Sequence, residues 1–220
     1  KSEHNSSSIR GLSLDLNDQP VANIAWQDAA LFCNWLSEKE NLPKFYNVVG
    51  DRVTSINWDS NGYRLPTESE WSWVAKVTKA GSTKVFPWNS PSYPPPFVSG
   101  NYADESAKSM LPFTISNYND SFPVSASVGS FQPNEKGIFN LSGNVAEWVN
   151  DFYEIRVNKS EPLVDYRGPN TGNRHVIRGA SWALGSRSEL RLSYREPGYD
   201  GKIDVGFRIA RYVDKPKGDL

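Results

Sequence analysis

The sequence contains very few residues that supply sulfur or nitrogen ligands to a metal ion. Cys33 is the only cysteine, and His4 and His175 are the only histidines among 220 residues. A disulfide within the chain is therefore excluded, and so are metal centres built from clustered cysteines or from three histidines of this chain. Cys33 itself falls on the apolar face of a predicted helix, so we interpret it as a core residue.

The sequence also lacks a large excess of charge of either sign, and it contains no long apolar run. The 24 basic and 25 acidic residues leave a net charge of −1. Proteins that bind nucleic acid usually carry a basic surface, so no nucleic-acid partner is expected. No apolar run approaches the roughly 20 residues of a membrane-spanning helix, so no membrane span is expected in this chain.

The two ends of the sequence differ in composition from its middle. Residues 1–17 are polar and are predicted to form a flexible N-terminal segment, and residues 213–220 a tail. One domain is predicted over residues 18–212. The sequence begins with Lys1 and carries no signal peptide, so we expect it to be a piece of a longer protein.

Aromatic residues are abundant and supply a core, with 8 Trp, 10 Tyr and 10 Phe. A second helix is predicted to begin at Thr67, which forms a capping box with Glu70. A first helix, which ends near Asn41 and Pro43, is predicted by apolar residues at helical spacing, namely Trp26, Ala29, Ala30, Cys33 and Leu36.

Strands are predicted where short apolar runs lie between turn residues. A hairpin is expected around Gly50-Asp51, because such a pair between apolar runs is typical of a tight turn. Residues 82–134 are predicted to be long irregular structure. The predicted strands are Phe45–Val49, Val53–Trp58, the run that begins at His175 and ends at Gly179, Leu190–Tyr194 and Val205–Tyr212.

Residues 137–153 combine oxygen-bearing side chains with glycine and aromatic bulk. Asn140, Gly143, Asn144 and Glu147 fall within eight positions. Hard cations bind carboxylate, amide and backbone carbonyl oxygens, and glycine allows a loop to turn its carbonyls inward. Two interpretations stay open, a calcium-like site on a loop and an ordinary Ser-Gly-Asn turn that leads into a buried tryptophan.

Recognised catalytic motifs are missing, since there is no glycine-rich phosphate loop and no Gly-x-Ser-x-Gly elbow. A lone His175 in a strand is interpreted as structural. Seven arginines between Arg174 and Arg211 leave two interpretations open. In the first they bind an anionic or peptide ligand, and in the second they bridge loops to acids such as Asp200 and Asp204.

Several motifs occur in an order that resembles the family of the formylglycine-generating enzyme, also called the sulfatase-modifying factor family. The resemblance covers about residues 18–212, and the N-terminal part of the family domain has no counterpart here. The motifs are Trp26-Gln27-Asp28-Ala29, Arg64-Leu65-Pro66-Thr67-Glu68, Gly143-Asn144-Val145-Ala146-Glu147-Trp148, Arg178-Gly179-Ala180-Ser181-Trp182 and Gly206-Phe207-Arg208.

This resemblance implies an α+β fold similar to that of C-type lectins, with short helices, small twisted sheets and much loop. It also implies two bound calcium ions. The first site would comprise Asn140, the carbonyls of Gly143 and Val145, and Glu147. The second would comprise Asn101, the carbonyl of Tyr102, Asp120 and the carbonyl of Phe122.

The sequence departs from the family pattern where the catalytic members carry two cysteines that hold copper(I). Those positions align with Leu184 and Glu189. Thiolates suit copper(I) because both are soft, so neither bound copper nor formylglycine generation is expected.

The expected function is therefore that of a non-catalytic, calcium-stabilised binding or scaffold domain with a protein or peptide partner. Its setting is predicted to be a bacterial extracytoplasmic protein that is periplasmic, on the cell surface or secreted. The alternative is an oxidoreductase with an altered active site, similar to siderophore-maturation members of the family, built around Glu189, Trp182 and Arg191. Carbohydrate binding is a third possibility that rests on fold analogy alone.

Overall fold

The computed structural model describes residues 4–155 and 165–213. It has two α-helices, α1 (Trp26–Lys39) and α2 (Glu68–Lys76), and a short 3-10 turn at Glu105–Ala107. The strands are β1 (Ser8–Ile9), β2 (Leu12–Ser13), β3 (Tyr46–Val49), β4 (Arg52–Ile56), β5 (Ala146–Phe152), β6 (His175–Arg178), β7 (Arg195–Gly198) and β8 (Val205–Phe207). This loop-rich α+β architecture is the one expected from the sequence.

Helix α1 confirms the predicted apolar face. Ala29, Ala30 and Cys33 are fully buried, and burial raises the pKa of the Cys33 thiol to about 12. The helix ends just before Asn41, which adopts a left-handed conformation with φ 56° that asparagine tolerates better than most residues. Cys33 is thus a core residue.

The predicted hairpin is also present. Strands β3 and β4 pair antiparallel through a turn at Gly50-Asp51, where Gly50 has φ 64°. Strand β4 ends at Ile56, two residues before the predicted limit at Trp58. This hairpin packs beside α1 because the Gln27 side chain donates to the Asp51 carbonyl and accepts from the Val53 amide.

Helix α2 begins with the predicted capping box. The Thr67 hydroxyl accepts from the Glu70 amide at 3.1 Å, and the Glu70 carboxylate accepts from the Thr67 amide at 2.8 Å. The same carboxylate accepts both terminal nitrogens of Arg64 at 2.7 Å. The helix ends at Lys76, because Val77 turns to an extended conformation and pairs with Thr83.

The main sheet has the strand order β7-β6-β5-β8, and β5 lies in its interior. β5 pairs antiparallel with β6 and parallel with β8. Six of its seven residues are buried, so the sequence shows none of the polar–apolar alternation that predicts a half-exposed strand. This central strand was missed at the sequence level for that reason.

Two predicted strands near the C-terminus need correction. The prediction of a strand at Leu190–Tyr194 was wrong, because these residues form turns and the strand is β7, at Arg195–Gly198. Leu190 and Leu192 are both buried, which mimics the alternation of a strand. The predicted strand Val205–Tyr212 is shorter, since β8 ends at Phe207 and only Ala210 pairs again, with Arg64.

Residues 82–134 form the predicted long irregular segment, and hydrogen bonds to the rest of the domain hold it in place. The Ala103 amide donates to the Leu184 carbonyl, and the Ile115 amide donates back to the Ala103 carbonyl. Apolar side chains of the segment form a core of their own, including Phe86, Trp88, Tyr102, Ile115 and Tyr118.

Packed structure begins upstream of residue 18, the predicted start of the domain. Strands β1 and β2 form a small hairpin, and Leu14 after it is fully buried. Residues 214–220, most of the predicted tail, lie outside the described residues. In the ranges that the structure describes, no helix is both long and apolar enough to cross a lipid bilayer.

Asp151, near the end of β5, joins the main sheet to α2. One oxygen of its carboxylate accepts from the Glu68 amide in the first turn of the helix at 2.7 Å, and the other has no hydrogen-bond partner among the described residues. Asp151 is 1% exposed. Burial raises the pKa of this carboxyl to about 7, although the hydrogen bond from Glu68 opposes the change.

This raised pKa predicts how stability depends on pH. Between about pH 4 and pH 7 folded Asp151 keeps a proton that the unfolded chain releases, so its contribution is complete below pH 4 and is lost as the pH rises to 7. The Asp151→Asn variant is expected to lack this pH dependence of the free energy of unfolding, whose slope is at most about 1.4 kcal/mol per pH unit. Urea unfolding at several pH values measures it, with exposed Asp59→Asn as the matched control. Parallel curves for wild type and Asp151→Asn would contradict the assignment.

Candidate functional site

The loop before β5 has an unusual backbone conformation. Four of its five residues from 140 to 144 have positive φ, with values of 54° for Asn140, 61° for Ser142, 146° for Gly143 and 75° for Asn144. Positive φ values turn the peptide groups away from the directions that they have in helices and strands. A loop of this kind is able to present carbonyl oxygens to a cation.

Three of the four residues predicted for the first calcium site line one cavity of about 380 Å³, namely Asn140, Val145 and Glu147. The Asn140 side-chain oxygen is buried and has no hydrogen-bond partner in the described part of the chain. A buried polar atom without a partner costs free energy, so this oxygen has the surroundings of a ligand atom. Gly143 lies against the Tyr102 ring instead.

Glu147 is 4% exposed and already has partners. One carboxylate oxygen accepts from the Trp71 indole nitrogen at 2.7 Å and from Arg208 Nε at 2.6 Å, and the other accepts from Arg208 Nη2 at 2.5 Å. A carboxylate has about four lone-pair positions, so three hydrogen bonds leave one for a cation. Burial lowers the pKa of Arg208, but Glu147 outweighs this and raises it overall.

The second predicted site is also brought together. The Asp120 carboxylate accepts from the Tyr102 amide at 3.0 Å and from the Phe122 amide at 2.9 Å. Asn101 is fully buried, its amide nitrogen donates to the Val124 carbonyl, and its side-chain oxygen has no partner among the described residues. Burial, with the nearby charge of Asp104, raises the pKa of Asp120 to about 7.

Both loops therefore fit calcium by the chemistry of their donors. Each contains an asparagine oxygen without a partner and a buried carboxylate, and hard cations prefer such oxygens. Within the described residues, no three His, Cys, Asp or Glu side chains cluster around one point, so a cation here depends on amide and carbonyl oxygens. The loops also touch, because the Asn144 amide donates to the Asn101 carbonyl.

The region that carries the family's copper ligands is built differently. Leu184 is half-buried and packs against the apolar cluster that contains Trp88 and Leu190. The Glu189 carboxylate accepts from the Ser186 amide at 2.9 Å and from the Gly185 amide at 3.3 Å. Glu189 therefore stabilises the turn to which it belongs.

The three residues of the alternative active site have separate surroundings. Trp182 is 1% exposed and packs with Leu14 and Val145, whereas the Arg191 side chain is exposed. In the described ranges, no hydrogen bond or ion pair joins Trp182, Glu189 and Arg191. The structure thus gives the three side chains different packing environments.

Among the described residues, three of the seven late arginines pair with glutamates, and none of these three pairs with the predicted Asp200 or Asp204. Arg195 binds the Glu68 carboxylate through two nitrogens at 2.8 and 2.7 Å, and Arg178 lies 3.4 Å from it. Arg208 pairs with Glu147. Sequence reasoning missed these partners, although a glutamate in an otherwise buried strand is itself a signal that a cation must lie beside it.

His175 is structural as predicted. Its ring stacks on Trp26 with 3.5 Å between ring centroids and also on Phe152 at 4.3 Å. Burial lowers the pKa of the imidazole to about 4, so the ring is neutral at pH 7.

Comparison with known proteins identifies the family. The model of the sulfatase-modifying factor enzyme 1-like domain matches residues 3–213. The chain belongs to this family. The single cysteine is consistent with a member that lacks the cysteine pair of its catalytic relatives.

Curated relatives include both active and inactive proteins. The chain is 27% identical over 207 residues to the formylglycine-generating enzyme of Streptomyces coelicolor, a match that covers 91% of this chain and 55% of the relative. It is 31% identical over 220 residues to the chaperone protein LppX of Paenibacillus barcinonensis, with coverage of 88% and 70%. It is 28% identical over 216 residues to the inactive C-alpha-formylglycine-generating enzyme 2 of Mus musculus, with coverage of 92% and 59%.

A solved structure confirms the fold. Treponema denticola variable protein 1 is similar with a TM-score of 0.72 and 27% identity, and the match covers 98% of this chain and 77% of that one. The chain spans about half the length of the Streptomyces enzyme.

The Glu147–Arg208 pair gives a stability prediction. Arg208→Gln leaves a buried carboxylate without its cation, so we expect a loss of about 3 kcal/mol in the free energy of unfolding. Exposed Arg191→Gln is the matched control and should change it by less than about 0.5 kcal/mol. Chemical denaturation measures both variants, and equal stabilities would show that the pair contributes nothing.

Proposed function

We propose that this chain is a non-catalytic, calcium-stabilised member of the family that acts as a binding or scaffold domain. The observation that carries the proposal is the packing at Leu184 and Glu189. An apolar side chain in a hydrophobic cluster and a carboxylate bound to its own turn occupy the positions of the two copper-binding cysteines. Neither group is a ligand for copper(I).

The only cysteine offers no replacement for that pair. Cys33 is fully buried in α1, and a thiol whose pKa is raised to about 12 is not a thiolate at neutral pH. The relative from Mus musculus whose name describes it as inactive supports the view that this fold is used without catalysis.

A formylglycine assay tests the absence of catalysis. The chain, loaded with copper(I) and given a sulfatase-type cysteine peptide, is expected to form no aldehyde, because it has no thiolate pair to hold the metal. The Streptomyces coelicolor enzyme serves as positive control, and mass spectrometry of the peptide gives the readout. Oxidation of the peptide or oxygen uptake that Glu189→Gln abolishes would instead establish the oxidoreductase with an altered site.

Calcium is proposed as the ion that completes the two loops. Its support is the pair of asparagine oxygens, on Asn101 and Asn140, that have no partner in the described ranges and share their loops with a buried carboxylate. Removal of calcium would leave the Asp120 charge buried next to Asp104, which costs free energy. Because the proposed ligands are buried, we do not expect calcium here to coordinate sugar hydroxyls.

Calcium binding predicts a rise in stability. A ligand about a hundredfold above its dissociation constant stabilises the native state by about 2.7 kcal/mol per site. Thermal unfolding in calcium and in chelator measures this, with magnesium as the control ion. Calorimetric titration should count two ions in wild type and one in Asp120→Asn, whereas Asp59→Asn should still bind two. Identical melting curves in calcium and chelator would refute the proposal.

A protein or peptide is the proposed partner. Helix α1 exposes Phe32 and Trp35, 38% and 50% accessible, and Phe32 contacts Phe207 at 5.6 Å between ring centroids. Exposed aromatic clusters are typical of protein interfaces. The relative named as a chaperone supports the same class of partner.

The proposed setting is an extracytoplasmic one, periplasmic, cell-surface or secreted. Calcium sites in extracellular modules work with dissociation constants of about 0.1 to 1 mM, and a fold that is stabilised by two such ions suits that environment.

A further inference from the structure

A cleft of about 910 Å³ shares no residue with the two loops proposed to bind calcium. Its walls come from the first turn of α1, strand β4, residues 167–173 and Tyr199-Asp200, and its floor includes Asn150 and His175. Nothing in the proposed calcium-bound module uses this cleft.

Hydrogen bonds determine which end of the Asn150 side chain faces the cleft. The Leu65 amide donates to the Tyr46 hydroxyl, and that hydroxyl donates its own proton to Asn150 Oδ1 at 3.0 Å, which gives both hydroxyl functions a buried partner. This fixes the orientation of the amide group. Asn150 is 3% exposed and lines the cleft, and its Nδ2 atom donates to no described residue. A buried N–H donor is therefore available to a ligand.

The first turn of α1 supplies further donors. Ala25, Trp26 and Gln27 line the cleft, and the helix has no side-chain cap at Ala25. The amides of Trp26 and Gln27 have no backbone partner in the described chain. Uncapped amides at a helix N-terminus carry a partial positive charge of about 0.5 and favour anions.

Among the charged side chains that line the cleft, positive charges outnumber negative ones. Arg52 and Arg167 line the cleft, against a single acid, Asp200. Arg167 is held in position, because its guanidinium stacks 4.3 Å from the Trp58 ring centroid. Both arginines are able to make charge-assisted hydrogen bonds to a carboxylate or phosphate.

His175 adds an acceptor to this set of donors. Its Nδ1 atom lies 3.1 Å from the Asn150 carbonyl, which only accepts, so Nδ1 carries the proton. The neutral ring then leaves Nε2 as an acceptor. A ligand hydroxyl is the group that would donate to it.

We infer that this cleft binds a small hydroxylated anion, in which a carboxylate or phosphate faces the α1 N-terminus, Asn150 and the arginines while a hydroxyl donates to His175. A sugar acid and a sugar phosphate share this chemistry. The cleft is large enough for either, since ligand pockets commonly measure about 300–1,000 Å³.

The test is titration of the whole chain, followed by NMR chemical shifts, with three probes at constant ionic strength. D-glucuronate supplies a carboxylate, D-glucose 6-phosphate a phosphate, and D-glucose neither. At least one anion should bind roughly tenfold more tightly than glucose, because charge-assisted hydrogen bonds are stronger than those between neutral groups. The anion that binds more tightly shows whether the cleft prefers a sugar acid or a sugar phosphate.

Two variants localise the effect. Asn150→Asp keeps the shape of the side chain but places a negative charge on the floor, and should weaken anion binding roughly tenfold or more. Arg52→Gln changes an exposed side chain and should weaken it several-fold without a change in the melting temperature. Exposed Arg187→Gln, outside the cleft, should have no effect.

The outcomes are decisive in both directions. Binding of an anion that Arg52→Gln weakens and Arg187→Gln leaves unchanged supports the inference, even where Asn150→Asp fails to fold. No binding of either anion, equal affinity for glucose, or equal effects of the two arginine variants would overturn it. The titrations are repeated in chelator and in calcium. Anion binding and calcium binding are thereby tested independently, and either proposal can fail without the other.

Discussion

The carboxylate of Glu147 has to be neutralised inside the protein, because β5 runs through the interior of the main sheet and buries it. Arg208, just after β8, supplies the opposite charge, and Trp71 of α2 adds a hydrogen bond. The loop before β5 meets the same carboxylate at the small cavity that Asn140 lines. Packing of α2, closure of the sheet and the proposed calcium site thus depend on a single charge, and a change in any of them alters the free energy of the others.

Much of the fold was predictable from local chemistry. The face of α1 around Ala29, Ala30 and Cys33, the capping box at Thr67 and the Gly50-Asp51 turn each depend on residues close in sequence. Strand β5 was not predictable in that way, because a strand buried on both faces shows no alternation. The turns at Leu190–Tyr194 showed an alternation that arises from burial of Leu190 and Leu192.

The candidate site was predictable only where family motifs carried it. Motif matching named Asn101, Asp120, Asn140 and Glu147, but it gave no sign that Arg208 already holds Glu147, since the two residues are brought together only by the parallel pairing of β5 with β8. The cleft over Asn150 was invisible in the sequence for a similar reason. Its donors come from α1, β4 and β5, and the orientation of one amide depends on a hydroxyl from Tyr46.

The parallel pairing of β5 with β8 has a consequence for the order in which the chain folds. β8 also closes against the beginning of the domain, where a side chain on Gly206 would collide with the Val21 carbonyl and the Asn23 amide donates to the Lys202 carbonyl. A nascent chain that lacks residues 202–208 therefore lacks both the cation that pairs with Glu147 and the carbonyl that accepts from Asn23. Folding of the sheet is completed only when translation has passed Arg208, because contacts so distant in sequence form late.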